Sequence, residues 1–298
     1  MNKIYITTPI FYVNDKPHIG HAYTSVICDV LARFYRLNDC EVKFLTGTDE
    51  HGQKIEKASK DSGMNPKDFV DKISKNFLNL TKILNLSNDD FIRTTEKKHE
   101  KAVTALWNKL WEKEYIYLGK YEGWYSLKDE SFYQEKELKK VNEDFFTSDG
   151  GKVEWIKEES YFFKLSKFEE KLLKFYEDNE DFIKPRSRKN EVIKFVKNGL
   201  KDLSISRNSF TWGINVPNSK DHIIYVWVDA LTNYLTSIQY PDQNNNSFSF
   251  WNNAIHVIGK DILKFHAIYW PALLMAAGLK LPKQIFAHGW WTNEGEKI

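Results

Sequence analysis

Short apolar runs alternate with amphipathic stretches at both ends of the chain. Residues 4–8 form a β-branched and aromatic run, and apolar residues then recur at every fourth position from Ala22 to Phe34, which predicts a strand, a loop and a helix. Further strands are predicted at 42–45, 223–228, 254–258 and 284–287, and further helices at 53–61, 66–84, 98–114 and 261–277. This alternation is typical of an α/β domain with a parallel sheet.

The middle of the chain has a different texture. Short aromatic strands are predicted at 121–125 and 132–133, a polar connection at 142–152, and helices at 168–178 and 190–202. We interpret residues 118–222 as a small α+β connective domain inserted into a Rossmann-like parallel-sheet domain, whose two halves are residues 1–117 and 223–298. Ligands of open parallel sheets bind beyond the carboxyl ends of the strands, so chemistry is expected in the loops that follow the strands.

Composition narrows the class of protein. The chain has 298 residues, enough for a sizeable core, and its 43 basic and 41 acidic side chains give a formal charge of +2, which neither favours nor excludes a nucleic-acid partner. Cys28 and Cys40 are too few for a disulfide framework, which is typical of a cytoplasmic protein. The longest apolar run, at 268–279, contains Pro271 and is shorter than the ~20 residues that span a bilayer, so we expect no membrane insertion.

Candidate chemistry first occurs at Pro17-His18-Ile19-Gly20-His21, between the first predicted strand and helix. The free N–H groups at a helix start, together with the helix dipole, favour a phosphate. His18 and His21 are three residues apart, so both imidazoles face the same way and add hydrogen-bond donors. Gly20 lets a nucleotide approach the backbone closely. A pair of structural histidines is the alternative, and the position directly after a strand favours a phosphate site.

The segment His18-Ile19-Gly20-His21 resembles the HIGH signature of class I aminoacyl-tRNA synthetases, and residues 9–15 narrow the resemblance to the methionyl-tRNA synthetases. The resemblance continues in order through the blocks at 48–52, 225–230, 259–270 and 288–290. It implies that L-methionine and ATP, with Mg²⁺, form methionyl-adenylate, and that the methionyl group then passes to the acceptor end of tRNA(Met). We expect a cytoplasmic monomer that serves protein synthesis.

The same resemblance implies roles for individual residues. His18 and His21 would stabilise the charge on the α- and β-phosphates, and Asp49 would bind the methionine ammonium group. The residues expected to contact ATP are Pro17, His18, Gly20, His21, Gly259, Asp261, His288, Gly289 and Trp290. The residues expected around the methionine side chain are Ile10, Tyr12, Trp227, Ala230, Tyr234, Ile262 and His266. A thioether is recognised by apolar and aromatic shape, although core packing of Trp227 and Tyr234 and a helix-cap role for Asp49 stay open.

Three segments depart from the family pattern. Leu231-Thr232-Asn233 stands where relatives often have Pro-Ile-Gly, which we interpret as subtype variation in the pocket wall. Ser126-Leu127-Lys128-Asp129 stands where many relatives have zinc-binding cysteines, so we predict no structural zinc. Gly295-Glu296-Lys297-Ile298 resembles the start of the second, KMSKS-type signature, which makes Lys297 a candidate catalytic residue. The chain stops there, so we expect a truncated protein without stem-contact and anticodon-binding domains, which binds substrates better than it turns them over.

Several alternatives remain open. A basic run near the end of the insertion would contact phosphates of the tRNA acceptor end or form a solvated helix face; its members are Arg186, Arg188, Lys189, Lys194, Lys197 and Lys201. A synthetase for leucine, isoleucine or valine is disfavoured because about 105 residues of insertion are too few for an editing domain. The Asp49 and Trp227 blocks argue against a nucleotidyl transferase outside tRNA charging. An inert RNA-binding module derived from a synthetase is the alternative from another class, and intact His18, His21 and Asp49 argue against it.

Overall fold

The computed structural model describes residues 2–126, 128, 131–148, 150–217, 219–293 and 296–297, apart from the side chains at 121, 131, 132, 136, 292, 293, 296 and 297. The α-helices of these residues are α1 (Ile19–Leu37), α2 (Gln53–Asp61), α3 (Pro66–Ile83), α4 (Lys97–Glu112), α5 (Glu169–Asp178), α6 (Arg186–Lys197), α7 (Val226–Thr236) and α8 (Trp270–Ala277). The strands are β1 (Lys3–Thr7), β2 (Phe11–Tyr12), β3 (Glu41–Asp49), β4 (Asp90–Arg93), β5 (Ile116–Ser126), β6 (Ser131–Tyr133), β7 (Lys139–Val141), β8 (Asp144–Phe146), β9 (Val153–Phe163), β10 (Ile183–Lys184), β11 (Leu203–Ser204), β12 (Ser206–Arg207), β13 (Ile223–Ile224), β14 (Ala254–Gly259), β15 (Gln284–His288), β16 (Thr292–Asn293) and β17 (Glu296–Lys297).

A seven-stranded sheet lies at the centre of the fold. Its strand order is β10-β15-β14-β1-β3-β2, with β4 also paired with β3, and every pair is parallel. From β1 the chain moves to β3 and β4 on one side and later returns to β14 and β15 on the other. The strand order therefore reverses between β1 and β14, which is where open parallel sheets bind ligands. The predicted α/β fold with a parallel sheet is confirmed.

Both faces of this sheet are covered by helices. On one face Tyr5 lies in the main core, together with buried side chains of α4, α7 and α8. On the other face Ile6 and Phe44 pack with Cys28 and Ala32 of α1. Burial on both faces explains why the central strands consist of continuous apolar runs rather than alternating ones.

A separate four-stranded antiparallel sheet, in the order β11-β9-β5-β6, begins at Ile116, two residues before the predicted insertion, and otherwise lies within it. The rest of that segment packs differently. β10 pairs in parallel with β15 at the edge of the central sheet, and Leu172, Tyr176, Val192 and Val196 of α5 and α6 belong to the main core. The domain boundaries at 117/118 and 222/223 stay a prediction.

Several secondary-structure predictions are wrong in part. The strand predicted at 223–228 ends at Ile224, and α7 begins at Val226. Nearly every residue of α7 is buried, and burial on all sides favours an apolar helix in spite of its β-branched start. The strand predicted at 42–45 continues to Asp49 because its end pairs with β4 and β2. Further differences are a β7-β8 hairpin, whose second strand lies in the predicted connection at 142–152, the start of α6 at Arg186 rather than 190, and a π-helical turn (Phe265–Tyr269) before α8.

The apolar stripe that predicts α1 lies on its exposed face. Val26, Val30 and Phe34 are 41%, 60% and 56% exposed, whereas Cys28 and Ala32, which face the sheet, are fully buried. The helix itself is confirmed. An apolar stripe at helical spacing therefore identifies the helix here but not the side that packs on the core.

Two matched substitutions test this assignment of faces. Phe44→Ala empties a fully buried position beneath α1 and should lower the free energy of unfolding by about 3–5 kcal/mol. Phe34→Ala, on the exposed face, should change it by less than about 1 kcal/mol. Urea unfolding measures both values, and a large effect of Phe34→Ala would mean that this face is covered in the folded protein.

Candidate active site

Two imidazole rings lie at the start of α1, at the carboxyl edge of the sheet. His18 is the N-cap residue of α1, and its Nδ1 accepts the backbone N–H of Gly20 at 3.1 Å. The Nδ1 of His21 accepts the backbone N–H of His18 at 3.0 Å. Because both Nδ1 atoms are acceptors, each neutral ring carries its proton on Nε2. The pair therefore offers two Nε2–H donors at a helix N-terminus, which suits an anion.

The His21 ring is packed among other rings. Its centroid lies 3.8 Å from that of His18, and Phe11 and Phe77 contact it edge-on at 4.7 Å and 5.3 Å. Burial, and to a lesser extent the neighbouring His18, lowers the pKa of His21 to about 3. His21 is thus neutral near pH 7, and it acts on an anion as a dipole rather than as a full charge.

Gly20 is required by the His18 ring itself. A Cβ at position 20 would lie 2.9 Å from Cε1 and 3.0 Å from Nδ1 of His18. A larger residue would push this ring out of its capping position. The expected approach of a nucleotide to Gly20 stays a prediction, and the contact that explains the glycine in this structure is the one with His18.

The loops after β14 and β15 meet the start of α1. Gly259 pairs with His288 in the sheet, and the His288 Nε2 lies 2.8 Å from the hydroxyl of Thr24 on α1. The Lys260 ammonium group lies 3.6 Å from the centroid of the Trp290 ring. Three sequence blocks predicted to contact ATP therefore lie side by side. The residues of this set are exposed or half-buried, namely Pro17, His18, Gly20, His21, Gly259, Asp261, His288, Gly289 and Trp290.

Aromatic side chains from α7 and the π-helical turn form a second part of the site. The Trp227 ring stacks on Phe265, with centroids 3.6 Å apart and an interplanar angle of 5°, and lies edge-on to His266 at 6.5 Å. The hydroxyl of Tyr234 lies 2.7 Å from the His266 Nε2. Trp227, Tyr234 and His266, three of the residues predicted to surround methionine, are therefore neighbours.

The protonation of His266 follows from its two partners. Its Nδ1–H donates to the carbonyl of Ile262 at 3.0 Å, so its Nε2 accepts the Tyr234 hydroxyl. Burial lowers the pKa of His266 to about 4, although the Ile262 carbonyl and Asp261 oppose this shift. A buried, neutral and fully hydrogen-bonded ring suits a pocket for an almost apolar side chain such as a thioether.

Asp49 lies at the end of β3, where it pairs with Tyr12 of β2. The next residue, Glu50, is fully buried, and its carboxylate accepts hydrogen bonds from the Arg93 guanidinium at 2.7 Å and 3.0 Å. Gly52 has φ +112°, a conformation that side chains rarely adopt, so the turn into α2 needs glycine. The Asp49 loop is therefore fixed at the carboxyl edge beside Tyr12.

Residues 4–298 match the family described as tRNA synthetases class I (M). The chain belongs to this family. It is 61% identical to a methionine–tRNA ligase of Rickettsia bellii over 297 residues, and 54% identical to one of Rhizobium meliloti over 299 residues. Each alignment covers 100% of the chain and 58% of the relative, so the chain spans about 58% of the length of these relatives.

Solved structures of this family share the fold. The Mycobacterium tuberculosis methionyl-tRNA synthetase in complex with methionyl-adenylate matches with a TM-score of 0.97 and 49% identity, over 100% of this chain and 59% of that one. The apo form from the same organism matches with a TM-score of 0.85 and 47% identity, over 97% and 56%. The Rossmann-like class I synthetase fold expected from the sequence is confirmed.

The remaining candidate residues are Ile10, Ala230, Ile262 and Lys297. Ile10 and Ile262 are partly buried against the main core, and Ala230 is buried within α7. The backbone of Lys297 lies in β17, and its side chain lies outside the described part of the structure, as does Ile298. Their proposed roles stay predictions.

Among the described residues, no three His, Cys, Asp or Glu side chains are grouped so that they could hold a metal ion. Ser126 is buried, whereas Leu127 and Asp129 lie outside the described residues, and the absence of zinc stays a prediction. Among the described helices, none combines the length and apolar character needed to cross a membrane.

Four residues without a predicted role, namely Phe265, Asp229, His51 and His99, contact residues of this site or one another. Phe265 stacks on Trp227, and the fully buried Asp229 accepts hydrogen bonds from His51 and His99. Asp229 gives a signal in the sequence, because it is a carboxylate directly after the apolar run at 223–228. His99 lies one turn before Val103 on the predicted apolar face of α4, so extending that face by a turn includes it.

A pH series of unfolding tests the neutral state of His266. Its pKa is about 4 in the folded protein and ~6.5 in an unfolded chain. The unfolded state therefore takes up a proton first as the pH falls, which lowers the free energy of unfolding by about 1 kcal/mol per unit between roughly pH 6 and pH 5. His266→Gln cannot titrate, so its free energy of unfolding should fall less steeply by this amount. Equal slopes for both proteins would contradict the assignment.

Proposed function

We propose that this chain activates L-methionine with Mg-ATP to form methionyl-adenylate, and that the complete protein transfers the methionyl group to the 3′-terminal ribose of tRNA(Met). The observation that carries this proposal is that a helix start with two imidazole donors and an aromatic pocket share one edge of the sheet. The methionyl-adenylate in the related M. tuberculosis structure supports it. A cytoplasmic location and a monomeric state remain part of the proposal.

The methionine end of the reaction uses Asp49 and the aromatic pocket. The Asp49 carboxylate pairs with the substrate ammonium group, and Trp227, Tyr234 and His266 surround the thioether. Both ends of the amino acid are then fixed, and its carboxylate is free to attack the α-phosphorus of ATP. Three residues replace the common Pro-Ile-Gly, namely Leu231, Thr232 and Asn233. They are buried within α7, the helix that also carries Trp227 and Tyr234.

The nucleotide end uses the start of α1. As the carboxylate attacks, negative charge increases on the oxygens of the α-phosphate, and pyrophosphate leaves. The Nε2–H groups of His18 and His21 donate hydrogen bonds to these oxygens, and the helix N-terminus adds its dipole. Mg²⁺ arrives bound to the ATP phosphates and offsets their charge. Lys297 belongs to the segment that would neutralise the leaving pyrophosphate.

The tRNA end of the reaction involves the basic run of the connective segment. Arg186, Lys194, Lys197 and Lys201 are exposed, whereas Arg188 pairs with Glu191 at 2.6 Å and Lys189 donates to the Glu180 carbonyl. Exposed cations around one short helix suit phosphate contacts with the acceptor end. A solvated helix face is the alternative, and loss of tRNA affinity on substitution of the four exposed residues decides between them.

Calorimetric titration with a non-hydrolysable methionyl-adenylate analogue tests the proposed function, with the leucyl analogue as the matched control. We expect tight binding of the methionyl analogue and weak binding of the leucyl one, because a thioether makes favourable contacts with aromatic rings that a leucine side chain lacks. Equal affinities would move the assignment to another class I specificity. Binding of neither, with RNA binding retained, would favour an inert RNA-binding module.

Removing one imidazole donor tests the role of the α1 start. His18→Ala should lower kcat for methionine-dependent ATP–pyrophosphate exchange by about 10²-fold, because the lost donor acts on charge that develops in the transition state. KM for methionine should change by less than about threefold, since His18 lies outside the aromatic pocket. An unchanged kcat with a raised methionine KM would contradict this role.

A further inference from the structure

A fully buried carboxylate connects three segments around the site. Asp229 of α7 accepts a hydrogen bond from the His51 Nδ1–H at 2.7 Å and from the His99 Nε2–H at 2.7 Å. Burial raises the pKa of the Asp229 carboxyl, but the facing His51 and His99 outweigh burial and lower it to about 2. Asp229 is therefore ionised near pH 7 and only accepts hydrogen bonds, so both imidazoles donate to it.

The first of these bonds joins the two parts of the methionine site. His51 follows Asp49 by two residues, in the loop that ends β3. Asp229 lies on α7 two residues after Trp227, directly before Ala230 and five residues before Tyr234. The distance between the ammonium partner and the side-chain pocket is thus set through the bond between His51 and Asp229.

The rest of the loop is held from other directions. The Trp212 Nε1–H donates to the Glu50 carbonyl at 2.6 Å, and the Gly52 N–H donates to the Trp212 carbonyl at 3.1 Å. The Glu50 carboxylate binds Arg93 of β4. These contacts fix the loop to Trp212 and to β4, whereas His51 joins it to α7 through Asp229.

The second bond explains why His99 is needed. A buried carboxylate oxygen without a donor is costly, and the carboxylate would rotate or admit water to satisfy it. His99 donates to this second oxygen from α4, and its Nδ1 lies 3.0 Å from the hydroxyl of Thr236, about two turns further along α7. His99 therefore fixes the orientation in which the Asp229 carboxylate accepts the hydrogen bond from His51.

We propose that Asp229 and His99 are positioning residues for methionine, which hold the Asp49 loop at a fixed distance from the pocket on α7 through His51. This inference rests on the proposed function, and it adds two residues that touch neither substrate. His99 acts from outside the site, through Asp229. The loss of His99 should therefore weaken methionine binding selectively, since the ATP contacts at the start of α1 do not depend on it.

The test compares two substitutions of His99 in the full-length protein. Methionine-dependent ATP–pyrophosphate exchange measures kcat and the KM values for methionine and ATP. His99→Leu removes the donor to Asp229 and should raise KM for methionine by about 5- to 20-fold, with KM for ATP unchanged. His99→Gln retains an N–H donor and should restore methionine KM to within about threefold of the unmodified protein. Ser237→Ala is the matched control, because it removes a partly buried hydrogen bond between the end of α7 and Asp90 that does not reach His51.

The outcomes separate a positioning role from a structural one. A structural defect lowers the number of active sites, which reduces kcat without changing either KM, and that result for His99→Leu would overturn the inference. Equal rises in both KM values would overturn it as well. If His99→Leu does not fold, the isosteric Asp229→Asn decides, because an unchanged methionine KM in that variant would contradict the proposal. An unmodified protein without methionine-dependent exchange would instead refute the proposed function.

Discussion

Backbone hydrogen bonds hold β1 in parallel register between β14 and β3, and Thr7 lies beside Leu45 on one side and His256 on the other. Because the three strands run parallel, the chain leaves all of them at the same edge. The imidazole pair, the Asp49 loop and the Gly259 turn are far apart in sequence and meet only through this register. A slip of one residue would exchange the side chains that face the two core clusters on either side of the sheet, so core packing and site geometry are determined together.

The chemistry of the site rests largely on neutral rings. His21 is half-buried and His266 is buried, and each has one ring nitrogen fixed by the backbone, through the His18 N–H and the Ile262 carbonyl. His256, stacked on Tyr234 at 4.0 Å, also has a pKa well below its usual value because of burial. Neutral rings leave the aromatic pocket without a buried cation, so a polar side chain would gain little there. The imidazole rings at the start of α1 are neutral as well. They would attract a phosphate through their N–H dipoles, to which the helix N-terminus adds its own dipole.

Much of this arrangement could be predicted from the sequence. The predictions that failed concern features that depend on tertiary packing. Repeating patterns and turn residues located α1, α2, α3 and most of the parallel strands, because these features depend on local sequence. The strand predicted at 223–228 failed because burial of α7 overrides β propensity, and the stripe of Val26, Val30 and Phe34 marks the exposed side of α1. The family resemblance supplied candidate residues for methionine and ATP. The pairing of Asp229 with His51 and His99 could not be derived, since it joins three segments whose proximity follows only from the complete fold.

Two buried carboxylates, Glu50 and Asp229, hold the loop that contains Asp49. A contribution to folding stability does not explain why either is buried. Glu50 binds Arg93, and Asp229 binds His51 and His99. Buried ion pairs are weak contributors to stability, because the cost of removing the charges from water is close to the gain from their attraction. Their hydrogen bonds are directional, however, and a buried charge strongly resists any movement that would leave it unpaired. The two carboxylates therefore act on geometry, one fixing the Asp49 loop to β4 and the other fixing it to α7. The proposed binding of a small ammonium group by Asp49, at one distance from the aromatic rings, would gain more from such restraint than from added stability.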